Sequence, residues 1–188
     1  MPRQIEEARV FDAVVELWVR EGYAGTTTKA IAANAGVNEA TLFRRYGGKA
    51  ELVRVALVAQ LEGVPLRTLA ATDDLGADLS RVVEGYLETY RQIGAVFPLL
   101  LIEVARHPEL RPALGAAWTN VGALLEIVAH HQARGALREE PPLLTMLSLI
   151  GPLFVIGLVR QAQPDLPVEV NVEAHVQAFL HGRAAAGS

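Results

Sequence analysis

The sequence predicts an all-α fold of about nine helices. Apolar residues recur at helical spacing, no useful stretch alternates as a strand does, and Gly or Pro residues interrupt the pattern at intervals. The predicted breaks are Gly63 to Pro65, His107 with Pro108, residues 139–142 and residues 164–167. We predict helices over residues 3–21, 28–35, 39–45, 49–62, 76–94, 96–106, 109–133, 142–161 and 170–182.

Residues 22–52 are the most informative segment, because they predict two short helices joined by a turn. A threonine run, residues 26–28, precedes the first helix and offers a hydroxyl that can cap free backbone amides, which also suit a phosphate oxygen. Gly36 follows this helix, where the chain needs a residue that tolerates positive φ. Asn38 is the predicted N-cap of the second helix. This is the layout of a helix-turn-helix.

The second helix of this pair has a predicted inward and a predicted outward side. Leu42 and Tyr46 are four residues apart and face inward. The outward side carries Glu39, Ala40, Thr41, Arg44 and Arg45. Such a surface suits a major groove, because arginine can bond guanine O6 and N7 and small side chains can contact a thymine methyl. The alternative is a surface helical hairpin whose two arginines are merely solvated.

Taken together, residues 11–57 resemble the DNA-binding region of TetR-family transcriptional regulators. The resemblance implies an N-terminal three-helix helix-turn-helix domain, residues 1–48, followed by a helical ligand-binding and dimerisation domain, residues 49–188. It also implies two subunits that read a palindromic operator, each with its third helix in the major groove. The matching residues are Leu17, Gly22, Tyr23, Thr26, Thr27, Ile31, Ala32, Ala35, Gly36, Val37, Thr41, Leu42, Phe43, Tyr46 and Lys49.

Outward position and resemblance together predict the DNA-binding residues. The residues at the start of the first helix of the pair, which is the second helix of the domain, would lie near phosphates. Asn38 would cap the next helix, the third of the domain, and Lys49 resembles the family's phosphate-binding lysine. The predicted DNA-binding residues are Thr27, Thr28, Lys29, Asn38, Glu39, Ala40, Thr41, Phe43, Arg44, Arg45 and Lys49.

Three residues depart from the family pattern. Phe43 stands where the family often has tyrosine, so only an apolar contact with sugar or thymine remains. Glu39 stands where the family often has a basic residue, and phosphates repel its carboxylate unless it accepts from a cytosine amino group. Ala30 replaces an acid that would close a capping box. The operator therefore does not follow from analogy.

Charge and composition agree with a small intracellular regulator. The net charge is −4, but residues 1–50 hold seven Lys or Arg against six Asp or Glu, a net +1 that leaves −5 for the remainder. Between Lys29 and Lys49 the only acid is Glu39, so the basic charge is local. The chain has no cysteine and begins with a charged amphipathic stretch instead of an apolar signal core. We therefore predict a cytoplasmic protein.

Residues 143–159 carry no charge, and with Pro141 and Pro142 the uncharged run reaches 19 residues. Membrane insertion is one interpretation, since about 20 apolar residues span a bilayer. Against it, Gly151 and Pro152 lie mid-segment and Arg160 follows at once. The favoured prediction is a helix buried between subunits, which pairs with the final helix in the four-helix dimer interface that the resemblance implies. The predicted interface residues are Leu149, Leu153, Ile156, Val172, Val176, Phe179 and Leu180.

The resemblance further implies an effector cavity among the middle helices, which would take a small, mostly apolar ligand. Ordinary core is the alternative for each candidate residue. Pro152 likewise has two interpretations, since its bend either fits the helix to its neighbours or opens room for a ligand. The predicted lining residues are Tyr86, Tyr90, Phe97, Leu101, Trp118, Leu125, Met146 and Phe154.

Neither a metal site, a cofactor nor an enzyme is predicted. His130 and His131 are adjacent on a helix and cannot chelate from one side, and no Ser, His and acid have catalytic spacing. The hypothesis is a cytoplasmic homodimer that represses transcription at a palindromic operator until a small apolar effector releases it. The alternatives are a small-molecule binding or sequestering protein with a vestigial DNA-binding domain, and a membrane-associated protein.

Overall fold

The computed structural model describes residues 2–94, 96–163 and 165–183, and within these ranges it contains nine α-helices and no strand. This confirms the predicted all-α class, and every predicted helix is present. The helices are α1 (Pro2–Gly25), α2 (Thr28–Ala35), α3 (Glu39–Tyr46), α4 (Lys49–Glu62), α5 (Leu75–Ile93), α6 (Val96–Glu103), α7 (Arg111–Ala133), α8 (Pro142–Ala162) and α9 (Val172–Arg183), with short 3₁₀ turns at Pro65–Thr68 and Pro108–Leu110.

Two helix ends differ from the prediction by three residues or more, and the others by at most two. The predicted end of the first helix at residue 21 coincides with a kink in α1 at Gly22, whose φ of 67° and ψ of −174° are not helical, and a further helical turn then reaches Gly25. A Cβ on Gly22 would lie 3.2 Å from a carboxylate oxygen of Glu103, so this position also lacks room. Helix α6 ends at Glu103 instead of residue 106, and His107, ahead of Pro108, has φ −127° and ψ 80°, outside the α region that a residue before proline avoids.

The chain forms two compact units that do not follow the predicted boundary at residue 48. The first unit comprises Met1–Gly63 and Ile93–Trp118, and the second comprises Val64–Gln92 and Thr119–Ser188. The core of the first unit includes Val14 and Trp18 of α1 together with Ile31 of α2, all with no exposed surface. Burying side chains of this size contributes roughly 1.5–3 kcal/mol each, so α1 is a main support of α2, against which α3 packs in turn.

In the second unit, Tyr90 of α5 is fixed against α8. Its hydroxyl donates to the carbonyl oxygen of Gly157 at 2.6 Å, and its ring covers the position where a side chain at residue 157 would begin. A Cβ built on Gly157 lies 2.6 Å from Cε2 of Tyr90, well inside van der Waals contact. Residue 157 is therefore restricted to glycine by packing, although it lies inside a helix.

We expect Gly157→Ala to lower the free energy of unfolding by about 1–3 kcal/mol, the usual cost of overpacking, despite alanine's better helix propensity. Urea denaturation followed by circular dichroism measures it. Gly122→Ala is the matched control, since Gly122 lies inside α7 with nothing within 4 Å of a built Cβ, and it should be neutral or slightly stabilising. Equal stabilisation of both variants would contradict the packing argument.

Helix α8 has a buried side and an exposed apolar side. Met146, Leu149, Leu153 and Gly157 are buried within the second unit and recur at helical spacing. On the opposite side the side chains of Leu147 and Val155 remain more than half exposed. The other large exposed apolar residues of α8 are Leu143, Leu144 and Val159.

The residues predicted for a dimer interface fall mostly on the inward side. Leu149 and Leu153 of α8, with Val176 and Phe179 of α9, are buried within their own chain. The remaining three, Ile156, Val172 and Leu180, are half-buried. The most exposed apolar residues of α8 are therefore not among those named from the sequence.

Two helical stretches of the described chain, Pro108–Ala133 and Pro142–Ala162, have the length and hydropathy of membrane spans. Core helices of soluble proteins meet the same two criteria. Length and composition alone therefore do not separate a bilayer from a protein partner as the neighbour of α8.

Candidate nucleic-acid interface

Local hydrogen bonds fix the helix-turn-helix of α2 and α3. The Thr27 hydroxyl caps α2 by accepting from the backbone amide of Ala30 at 3.1 Å, and the Asn38 side chain caps α3 by accepting from the amide of Ala40 at 2.8 Å. Between the helices, Gly36 has φ 68° and its amide bonds the carbonyl of Ala32. These features confirm the predicted turn and both predicted caps.

Apolar contacts with α1 set the orientation of α3. Leu42 is buried, and the half-buried ring of Tyr46 lies 6.4 Å from the ring of Phe11, centre to centre. The Arg45 guanidinium pairs with the Glu7 carboxylate at 2.7 Å and lies over the ring of Tyr46. Arg45 therefore links α3 to α1, a role that the sequence did not indicate.

The outward side of α3 is open. Asn38, Glu39, Ala40, Phe43 and Arg44 line a shallow concave surface, and 60% of the Phe43 side chain is exposed. The Arg44 guanidinium forms no hydrogen bond or ion pair with any residue that the structure describes, unlike that of Arg45. Its donors are therefore available to an external acceptor.

Glu39 and Thr28 connect the two helices of the motif. The Thr28 hydroxyl donates to Oε1 of Glu39 at 2.6 Å, across a separation of 11 residues. The same carboxylate lies in the first turn of α3, where the helix dipole stabilises negative charge. Because its hydrogen is used in this bond, the Thr28 hydroxyl does not donate to a phosphate in this arrangement. Lys29, beside it, is exposed.

Lys49, at the start of α4, contacts protein groups in the first unit. Its Nζ lies 4.0 Å from the ring centre of Tyr23 and donates to the carbonyl oxygen of Ala24 at 3.4 Å. Burial lowers the pKa of Lys49 below its ordinary value, while the charges of Glu103 and Glu109 act in the opposite direction. The ammonium group is thus positioned by an aromatic ring instead of being free in solvent.

Tyr23 itself is held in place. Burial, and secondly a hydrogen bond to Glu109, raise the pKa of the Tyr23 phenol to about 12. Its ring lies 4.4 Å from that of His107, centre to centre. The residues that hold Tyr23, and through it Lys49, therefore include His107 and Glu109. Both follow α6, too far along the chain for a local sequence motif to reveal them.

The residues predicted to line an effector cavity are divided between the two units. In the first unit Phe97 is half-buried, whereas Leu101 and Trp118 are exposed. In the second unit Met146 is buried and the others, Tyr86, Tyr90, Leu125 and Phe154, are half-buried. Among the described residues no group of three or more His, Asp and Glu side chains could hold a metal ion.

Helix α2 is capped, and α3 is exposed and carries Arg44, which pairs with no residue that the structure describes. This arrangement is that of a helix-turn-helix DNA-binding protein. Residues 10–56 match the family described as "Bacterial regulatory proteins, tetR family". This segment of the chain thus matches the DNA-binding region of TetR-family transcriptional regulators. The predicted resemblance to this family and the predicted all-α fold are thereby confirmed.

Two curated relatives illustrate the match. The HTH-type transcriptional regulator Rv1556 of Mycobacterium tuberculosis is 34% identical over 116 residues, which cover 60% of this chain and 55% of that protein. The HTH-type transcriptional repressor SCO4008 of Streptomyces coelicolor is 30% identical over 95 residues, 50% of this chain and 45% of the repressor. The chain thus spans about half the length of the curated relatives it matches.

A solved structure extends the likeness of fold to most of the chain. The TetR-family regulator PfmR from Thermus thermophilus superimposes with a TM-score of 0.71, covering 92% of this chain and 97% of PfmR. Only 19% of the residues are identical, so the similarity concerns the fold. Residues beyond the family match at 10–56 thereby have a counterpart in architecture.

Proposed function

We propose that the chain is a homodimeric, cytoplasmic repressor that occupies a palindromic operator by placing α3 in the major groove. The observation that carries the proposal is the outward side of α3, where Arg44 is unpaired and Phe43 is exposed on a helix that Asn38 caps. TetR-family regulators bind operator DNA and act as dimers, and SCO4008 supports repression by its name.

Residues on and around the outward side of α3 have different proposed roles. Arg44 bonds a guanine edge, and Ala40 and Thr41 contact thymine methyl groups. Lys29 and the free amides at the start of α2 contact phosphates. Lys49 contacts a phosphate at an angle set by the Tyr23 ring. Phosphate contacts position the helix without selecting a sequence, so specificity falls to α3.

We assign dimerisation to α8 together with α9, because the large apolar residues on the outward side of α8 are exposed within the chain that the structure describes. An exposed apolar surface of this kind marks a contact with protein or lipid. A protein partner is favoured because the chain carries a DNA-binding motif that needs two copies to read an inverted repeat. The predicted residues Ile156, Val172 and Leu180, which are half-buried, complete this surface.

The proposed effector is a small, mostly apolar molecule bound in the second unit among half-buried aromatic residues of α5 and α8. Tyr86 and Phe154 are the central candidates, and burial raises the pKa of Tyr86, so its phenol stays neutral and can donate to a hydroxyl or carbonyl. The ligand would release the operator by favouring a spacing of the two α3 helices that the operator does not accept.

Selection of bound duplexes from a random pool at two salt concentrations tests the proposal. We expect an inverted repeat whose two halves are centred about 34–36 Å apart. Weak, salt-sensitive binding without a shared sequence would contradict it and favour the alternative of a ligand-sequestering protein with a vestigial DNA-binding domain.

Within that operator, we expect Arg44→Ala to weaken binding by about 1–3 kcal/mol and to relax base preference at one position of each half-site. Titration of operator duplexes by fluorescence anisotropy measures the loss. Arg20→Ala is the matched control, since Arg20 is also an exposed arginine but pairs with Glu16 and Glu21 on α1. An equal loss from both variants would mean that Arg44 acts only through its charge.

A further inference from the structure

We propose that Glu39 is a specificity-determining residue that selects cytosine at one position of each half-site, with Thr28 as the residue that positions its carboxylate. This inference rests on the proposed function and names the base that one residue reads. It concerns an acidic group on a surface that must approach phosphates, where a carboxylate is otherwise unfavourable.

The hydrogen bond from Thr28 holds one carboxylate oxygen of Glu39 and leaves the carboxylate able to accept further hydrogen bonds from a base. The Thr28 hydroxyl occupies one site on Oε1 of Glu39 at 2.6 Å, whereas an ionised carboxylate offers about four. Glu39 is exposed and lines the same concave surface as Phe43 and Arg44. A glutamate that is already held loses less rotamer freedom on contact with a base than a free one.

Base chemistry then selects cytosine. In the major groove cytosine presents an amino donor, whereas guanine presents only the N7 and O6 acceptors and thymine presents the O4 acceptor and a methyl group. Adenine has an amino donor, but its neighbouring N7 acceptor repels the second carboxylate oxygen. An acceptor-only side chain in this position therefore favours cytosine over the other three bases.

Two simpler roles for Glu39 predict different results. If the Thr28–Glu39 bond is only a clasp between α2 and α3, its removal lowers thermal stability and leaves the selected sequence unchanged. If Glu39 is only a repulsive charge, its neutralisation tightens binding to every duplex equally. Base selection differs from both because it changes one position of the operator.

Sequence selection with purified full-length variants separates these roles. For Glu39→Gln we expect the cytosine preference at one position to fall by roughly 5–150-fold, and adenine to be gained there, because glutamine can bond adenine N6 and N7. Thr28→Val should weaken the same preference without gaining adenine, and Thr28→Ser should restore it. Glu62→Gln, the same change at an exposed residue of the last turn of α4, should leave the sequence unchanged.

The inference is overturned if wild-type protein enriches an inverted repeat and Glu39→Gln enriches the same one, with or without a change in melting temperature or overall affinity. Failure of the wild-type protein to enrich any inverted repeat would instead overturn the proposed function, and the inference with it. Circular dichroism of each variant checks that the helices are folded. We expect the Glu39 variant to fold, since residue 39 is exposed.

Discussion

A double variant with Leu147→Glu and Val155→Glu is expected to be monomeric and to lose operator binding. Both side chains project from the outward side of α8 and are exposed by 57% and 56%. In a dimer formed through this side, four glutamates would be buried without partners, and an unpaired buried charge costs several kcal/mol. A monomer keeps only one half-site contact, so operator affinity should fall by about 10²–10⁴-fold.

Sedimentation velocity in detergent-free buffer measures the mass, and anisotropy titration measures the affinity. Ala77→Glu supplies the control, because Ala77 is exposed on α5 and its amide bonds the capping Asp74. A glutamate in this first turn is favourable for the helix. A double variant that remains dimeric would place the interface elsewhere. A wild-type protein that requires detergent would favour lipid as the neighbour of α8.

The sequence did not indicate which side of α8 faces outward, and the reason is physical. Local features such as the caps at Thr27 and Asn38 depend on residues two or three apart, so they could be predicted. Helix α8 carries apolar residues on all sides, so their spacing in the sequence does not show which side faces the core. Leu149 was therefore chosen for an interface, although it is buried in its own unit, and Leu147 was not.

Contacts between residues distant in sequence are the other part that could not be predicted. The Thr28–Glu39 bond depends on the angle between α2 and α3, and the Arg45–Glu7 pair joins residues 38 positions apart. From sequence, Arg45 was grouped with Arg44 as outward-facing. The structure distinguishes the two arginines by their partners, and this distinction determines which of them is free to contact DNA.

The pairing of Asp78 with His131 has the same origin, since 53 residues separate them. Both side chains are buried, and their Oδ2 and Nε2 atoms are 2.8 Å apart. The backbone amide and the hydroxyl of Thr72 donate to the same carboxylate, and Arg81 pairs with it. From sequence, His131 was considered only as a candidate metal ligand or catalytic group, and neither role was predicted. The structure shows His131 joining the end of α7 to the start of α5.

We expect Asp78→Ala to lower the free energy of unfolding at neutral pH by about 3–5 kcal/mol, the largest stability effect of any single substitution considered. The change removes the only described acceptor of His131 Nε2 and leaves the Thr72 amide without its partner, and each buried donor left unsatisfied costs about 1–3 kcal/mol. Urea denaturation measures the loss. Asp73→Ala, in the same loop, removes only the exposed contacts with Arg134 and His130 and should cost at most about 1 kcal/mol.

The loss caused by Asp78→Ala should depend on pH in a defined direction. Burial alone would raise the pKa of Asp78, but the bonds from Thr72 and His131 and the charge of Arg81 together hold this pKa below its ordinary value. A depressed pKa in the folded state means that the stabilisation is fully present above the unfolded value, near 3.9, and disappears as pH falls through the folded value. The stabilities of wild type and Asp78→Ala should therefore converge in acid. A difference that stays constant between pH 7 and pH 2 would show that the contribution of Asp78 comes from packing and not from its charge.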